Sequence, residues 1–311
     1  MYFKKAFTMI ELIFVIIILG IVSSITSEII VQVYESYIIQ KATHKASIKS
    51  ELAINQIANR LLYRIDKSLI ARIPGKTGTT LVTDVYPVSQ VPIVGPTNVN
   101  TYTALEWIAF ENDGFTKSAQ PAWSGFADLN QSSFNSFITT GSKLTDETTV
   151  LANLSGTAVP PNPAIIFNTL YYKGITEYDT LSMYRNNGSI FPVTINNDTN
   201  LSFAAGGDRT AGQMVYSEFY TLTASAYAIV PENNETINGI TVWDLVLYSN
   251  YQPWLAGAHN YTTGSRSVLA KNVSVFRFKQ EVNSIRIKLC TIARLSQNDQ
   301  ISTCKEKAVI R

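Results

Sequence analysis

The first 27 residues constrain this chain more than anything that follows. Lys4 and Lys5 precede an apolar run from Phe7 to Ile25 that is broken by one charge, Glu11. That run approaches the roughly 20 residues needed to cross the hydrocarbon core of a bilayer as a helix. No Lys or Arg recurs before Lys41. Cationic flanks stay on the cytoplasmic side, so the expected orientation is amino terminus inside and the bulk of the chain outside. A cleaved secretory signal needs small residues at a cleavage site beyond the apolar run, and Ser23, Ser24 and Ser27 make a poor one. A plain membrane anchor leaves Glu11 without an account. A carboxylate at the centre of a membrane helix costs about 3 kcal/mol, and such residues are functional candidates by default.

A third reading uses every feature. The stretch Lys4 to Val22 is a short basic leader ending in a small residue, then Phe-Thr-Met-Ile-Glu-Leu, then an apolar helix. This resembles the leader and first helix of the type IV pilin and type II secretion pseudopilin superfamily. The resemblance implies that a prepilin peptidase cuts between Ala6 and Phe7 on the cytoplasmic side and that the new amine of Phe7 becomes N-methylated. It gives Glu11 a role in filament assembly, and Gly20 stands where glycine is common. Ala6 departs from the glycine that most members carry. The likeness covers about 25 residues of the 311.

Physical chemistry supplies a reason for that arrangement. Phe7 and Glu11 stand four apart, on one helix face. A cationic amine at a helix amino terminus is disfavoured by the helix dipole. The amine and the carboxylate can pair within one subunit, or Glu11 can meet the amine of a neighbour as subunits stack. Either charge is costlier alone in lipid than paired. The plain alternative is a glutamate resting at headgroup level.

Helical character continues past the membrane. No proline precedes Pro74, and Gly20 is the only glycine before Gly75. Ile54, Ile57, Ala58, Leu61, Ile65 and Leu69 recur at spacings of three and four, a stripe suited to packing on a sheet, with Lys49, Asn55, Arg60, Arg64 and Lys67 largely off it. Ile73-Pro74-Gly75 reads as the stop. A helix from Phe7 to Ile73 would run roughly 100 Å, so a bend near 43–50 is expected. The chain divides into a leader over 1–6, a membrane helix over 7–27, a helical stalk over 28–74 and a β-rich head over 75–311.

The expected fold class is α+β, one long helix lying across a mostly antiparallel sheet. Strands are expected at Thr80–Val88, Leu105–Phe110, Ala164–Phe167, Ser217–Val230, Ile240–Ser249, Val268–Lys279 and Ser284–Ala293. Pro231–Gly239 reads as a long hairpin loop and Gln280–Ser284 as a second connection. Residues 111–163 read as a polar, loop-rich insertion. In length and element order the whole resembles the larger, J-type minor members of the superfamily.

An extracytoplasmic head places Cys290 and Cys304, fourteen positions apart, where disulfides persist. Asn298 and Asp299 offer a turn between them, so a Cys290–Cys304 bridge is expected, similar to the disulfide-closed loop of many type IV pilins. Other chemistry finds little support. His44 lies in the stalk and His259 in a Gly-Ala-His-Asn loop, and the chain holds no Gly-x-Ser-x-Gly, phosphate-loop or Gly-x-Gly-x-x-Gly motif. Glu106, Glu111 and Asp113 suit a glycosidase pair only weakly, since acids at a strand end are usually solvated. Two histidines and two cysteines leave little for zinc. Asn196–Asn200 offers oxygen ligands for calcium but without the spacing of a calcium loop, and a turn explains it as well. Neither a cofactor nor a metal is therefore expected, and no enzymatic activity.

Asn130, Asn200 and Asn234 sit in Asn-x-Ser/Thr contexts with Asp128, Asp198 and Glu232 two positions earlier, a pattern similar to bacterial N-glycosylation acceptors. Charge is uneven, with an acidic middle between basic ends, but the net of +2 gives no reason to expect nucleic acid. The sequence thus points to a structural subunit, a minor pilin or pseudopilin of the bacterial inner membrane with its head in the periplasm. Its implied partners are prepilin peptidase, other pilins or pseudopilins, the assembly platform, the motor ATPase and membrane lipid. A filament-tip adhesin or cargo receptor contacting ligand through Trp123, Tyr251 and Trp254 is the alternative, and a tethered enzyme the third.

Overall fold

The computed structural model describes residues 8–92, 100–115, 119–156, 162–167, 180–184, 189–203, 217–255, 260–295 and 299–310. Helix α1 (Met9–Leu61) is one uninterrupted element of 53 residues, about 80 Å of rod. Twelve strands follow: β1 (Ile70–Arg72), β2 (Val85–Pro87), β3 (Ala104–Phe110), β4 (Ser136–Ile138), β5 (Ala164–Phe167), β6 (Phe191–Ile195), β7 (Asn200–Phe203), β8 (Tyr220–Ile237), β9 (Ile240–Tyr251), β10 (Ser265–Glu281), β11 (Ser284–Arg294) and β12 (Gln300–Ile310). A second helix, α2 (Leu144–Ser155), lies between β4 and β5. The strands form one sheet in the order β12-β11-β10-β9-β8-β5-β6-β7-β4, with β3 and β1 joined through β8 and β2 paired to β1. Every strand pair is antiparallel. The expected α+β architecture is therefore the observed one.

Period-2 alternation decides which side chains meet the helix. Leu105, Trp107 and Ala109 of β3, Ile229 of β8, Leu245 and Leu247 of β9 and Ile285, Ile287 and Leu289 of β11 point to one face. They bury Ala53, Ile54, Ile57, Ala58 and Leu61 of α1. The intervening residues Ala104, Ile108, Ala226, Ala228, Val230, Val246 and Tyr248 form a second core on the opposite face, closed by Tyr184, Trp254 and Tyr261. A third cluster gathers Phe137, Phe167, Phe191 and Tyr220 around β4–β7.

Several expectations need correction. No break falls within 43–50: α1 runs through, and its first buried residue is Ala46. The helix stops at Leu61, not at Ile73, because the edge of β3 captures the chain. Phe110 N donates to Tyr63 O at 2.9 Å and Ile65 N to Ile108 O at 2.9 Å. Leu69 is buried beyond the helix, just before β1, and Arg64 is buried instead of lying off the apolar stripe. Its Nη1 donates to Leu61 O at 2.9 Å and its Nε meets Asp66 Oδ1 at 3.0 Å. The region read as a loop-rich insertion holds α2 and β4. The supposed long loop at Pro231–Gly239 is strand almost throughout, since β8 and β9 pair down to Ile237↔Ile240. Asn238 (φ 47°) and Gly239 (φ 78°) alone make the turn, the two-residue type that matches strand twist. Likewise β10 and β11 pair to Glu281↔Ser284, leaving two residues in the turn.

At the far edge of the sheet, Cys290 faces Cys304 directly across β11 and β12, and the two are joined by a disulfide. The tail beyond it is a full strand under α1. Lys307 Nζ donates to Asn55 Oδ1 at 2.8 Å and Lys305 Nζ lies 3.5 Å from Glu51 Oε2.

Candidate functional site

Two regions carry the chemistry of this chain, the bare start of α1 and a cleft where α1 enters the head. Ala6 and Phe7, the expected cleavage and methylation positions, lie outside the described residues, as do Lys4, Lys5 and His259. From Thr8 onward the geometry is plain. Thr8 caps α1: Glu11 N donates to Thr8 Oγ1 at 3.4 Å, while Thr8 N donates to Glu11 Oε2 at 3.0 Å. The Thr8 hydroxyl also donates to that Oε2, at 2.9 Å. This reciprocal capping box satisfies two helix-end donors at once. It also gives Glu11 a local role that the sequence reading overlooked, although Thr-x-x-Glu before an apolar run is its signature.

Beyond the cap the helix is exposed on all sides. Met9, Ile10, Phe14, Leu19 and Val22 are all more than half exposed. So are Ile29, Ile30 and Val33, which lie past the expected membrane span. The helix is long and apolar enough to cross a membrane, and the window that qualifies it is buried nowhere in the head.

The cleft, about 450 Å³, opens beside the last turn of α1. Asn59, Arg60 and Tyr63 line one wall, the end of β3 with Glu111–Asp113 a second, α2 a third, and Ser225 and Tyr227 of β8 with Asn250 of β9 the floor and far side. Tyr63 meets Phe110 edge-on at 5.6 Å, and Tyr227 stacks on buried Trp107 at 5.7 Å. Burial raises the Tyr227 hydroxyl, and nearby Asp113 adds to the rise while Arg60 opposes it. Asn250 holds a left-handed φ of 59° and donates its N–H to Ser225 Oγ at 3.0 Å.

Glu111 is buried against the expectation of a solvated acid. Its Oε1 accepts from Asp113 N at 2.8 Å, and its Oε2 from Gly114 N at 2.9 Å and Trp123 Nε1 at 3.1 Å. Burial still holds its proton affinity above the ordinary carboxylate range, against those three donors. Gly114 is required here, because a Cβ would come within 1.8 Å of Glu147 Oε2 and 2.9 Å of Glu111 Oε2. Glu106 is buried too, paired with Arg72 on the other face of the sheet, so these acids are not arranged as a catalytic pair in one cleft.

The three aromatics offered as exposed ligand contacts are all buried. Trp123 donates to Glu111, Tyr251 donates to Glu106 Oε1 at 2.8 Å, and Trp254 donates to Asn162 O at 3.4 Å. The Asn196–Asn200 cluster is a turn between β6 and β7, with Asn196 N donating to Asn200 O at 2.9 Å. Among the described residues no group of three or more acids, histidines or cysteines is placed to hold a metal. Asn130 and Asn234 are exposed, and Asn200 is half-buried with its Oδ1 accepting from Ser136 and Asn196.

Residues 1–27 match the family model described as a prokaryotic N-terminal methylation motif. No curated protein and no solved structure matches the chain.

Proposed function

We propose, from an amino terminus that supports membership of the type IV pilin and pseudopilin superfamily, that this protein is a minor structural subunit of a pilus or pseudopilus. The motif implies processing by a prepilin peptidase and assembly with other pilins. In this reading the enzyme cuts between Ala6 and Phe7, methylates Phe7 and leaves a single-pass protein in the inner membrane with its head in the periplasm. An assembly platform and motor ATPase then draw it into the filament. The head spans twelve strands, a bulk that suits a rare or terminal position better than a repeated wall, and the J-type minor members share that proportion. A type II secretion pseudopilus and a type IV pilus are both served by the same parts.

The observation that carries the reading is the rod of exposed apolar side chains that starts with a capped glutamate. Such a rod is insoluble alone and is covered only by lipid or by like helices. Glu11 then has two roles in sequence. It caps its own helix in the membrane and meets the methylated amine of an adjoining subunit in the filament. Two measurements test this. Mass spectrometry of the protein from its own cells is expected to find N-methylated Phe7 as the first residue. Glu11→Ala is expected to be processed and membrane-held yet lost from sheared filament fractions. A mature chain still starting at Met1, or unchanged incorporation of Glu11→Ala, overturns the proposal.

A further inference from the structure

The cleft beside the end of α1 is not explained by membrane insertion or by helix packing. Its volume of about 450 Å³ falls in the range of small-molecule sites. We infer that it binds a neutral saccharide, one or two sugar units long. The inference does not rest on the filament reading, since a chain that never assembled would present the same cleft.

The argument is an inventory of what the walls can donate and accept. Three carboxamides, Asn59, Asn112 and Asn250, converge from α1, the turn after β3 and the end of β9, and the hydroxyls of Ser225, Tyr63 and Tyr227 stand among them. Each of these groups both donates and accepts hydrogen bonds. Vicinal sugar hydroxyls do the same and are matched by such groups, while other ligand classes are not. An anion needs clustered cations, and Arg60 stands alone with Asp113 to offset it. A cation needs acceptors only. The nearest buried carboxylate, Glu111, is already occupied by three donors. A purely apolar ligand would leave this many polar groups dry, at about 1–3 kcal/mol for each one unpaired.

The apolar part of the lining fits as well. Tyr63 and Phe110 lock each other edge-on, and Tyr227 is braced on Trp107, so the aromatic walls are rigid before a ligand arrives. Rigid amphipathic rings give contact to the C–H faces of a sugar at low entropy cost. Asn250 is presented by a left-handed backbone that glycine or asparagine adopts easily. Its neighbour Ser225 fixes that backbone by accepting the Asn250 N–H.

The test uses the full chain in an amine-oxide detergent, which carries no sugar head group. Saturation-transfer NMR is run with methyl glycosides of glucose, galactose, mannose and N-acetylglucosamine, with lactose and chitobiose, and with inorganic phosphate and spermidine as charged comparators. At least one neutral glycoside is expected to receive saturation. Its dissociation constant is expected to weaken about tenfold or more in Asn59→Ala and in Asn250→Gly, and to stay unchanged in Asn130→Ala, on a remote turn. Asn59 is exposed on the helix surface and Asn250→Gly keeps the backbone, so both variants are expected to melt as the parent does. No transfer to any neutral glycoside, equal affinity in both cleft variants, or binding of phosphate or spermidine alone overturns the inference.

Discussion

Glu106 shows what one residue can hide. It sits in the middle of β3, fully buried, and a lone carboxylate there would be driven to take up a proton. Instead Arg72 Nε donates to its Oε2 at 2.7 Å and Tyr251 to its Oε1 at 2.8 Å. Arg72 spends further N–H groups on the carbonyls of Lys76 and Gly78, and its guanidinium lies 5.7 Å from the Tyr261 ring. Breaking such a pair leaves one charge stranded. Arg72→Met is therefore expected to cost about 3–5 kcal/mol in urea unfolding of the full chain in detergent. Arg72→Met with Glu106→Leu is expected to recover most of that, because no charge then remains to be solvated. Neither residue is legible from sequence as part of a pair. Arg72 is 34 positions from Glu106, and an acid in a run of apolar residues reads as an end of strand.

At the scale of elements, local signals are recovered and distant ones are not. The long β8–β9, β9–β10 and β10–β11 pairings announce themselves through alternation, as does the apolar stripe of α1. The Asn238-Gly239 turn was available as a hairpin signal and was masked by Pro231, which reads as a breaker although β8 continues through it. Helix α2 is different, for its start has no local cap: the capping position is Lys143 and offers no side-chain acceptor. Asp198, from the turn between β6 and β7, does that work. Its main-chain oxygen accepts from Leu144 N at 3.0 Å and its carboxylate from Thr145 N at 3.3 Å, with the Thr145 hydroxyl donating to the same oxygen.

Those donors hold the Asp198 carboxyl below its usual range. A depressed carboxylate stabilises the fold above its unfolded pKa, and the contribution disappears as pH falls through the folded value. Asp198→Ala is thus expected to lower the melting temperature at neutral pH. Its deficit relative to the parent should shrink steadily below about pH 4; a deficit independent of pH would show that the carboxylate charge is not what caps α2.

For the whole molecule, the relevant fact is where the head begins to hold the rod. The first contact is at Ala46, whose main-chain oxygen accepts from Thr291 Oγ1 at 3.4 Å. Lys41 and Lys45 lie just before it on exposed helix. Trypsin applied to the periplasmic face of spheroplasts is expected to cut after one of them and release a soluble head starting at Ala42 or Ala46. A fragment that stays with the membrane would refute both this boundary and the outward orientation. That the chain has a membrane segment and a head could be read from sequence. The position of the joint could not, because it depends on how far β11 and β12 extend beneath the helix.

Some 55 Å of α1 stands clear of the head between Met9 and Lys45, at 1.5 Å per residue. About 30 Å of that is absorbed by hydrocarbon. The remainder holds the head some 25 Å off the surface on a collar of oily residues, among them Ile29, Ile30, Ile38 and Ile39. A solitary copy leaves that collar wet. Whatever wraps it first, whether detergent, a stray hydrophobic partner or a sister helix, will govern how the purified protein behaves long before its head meets anything.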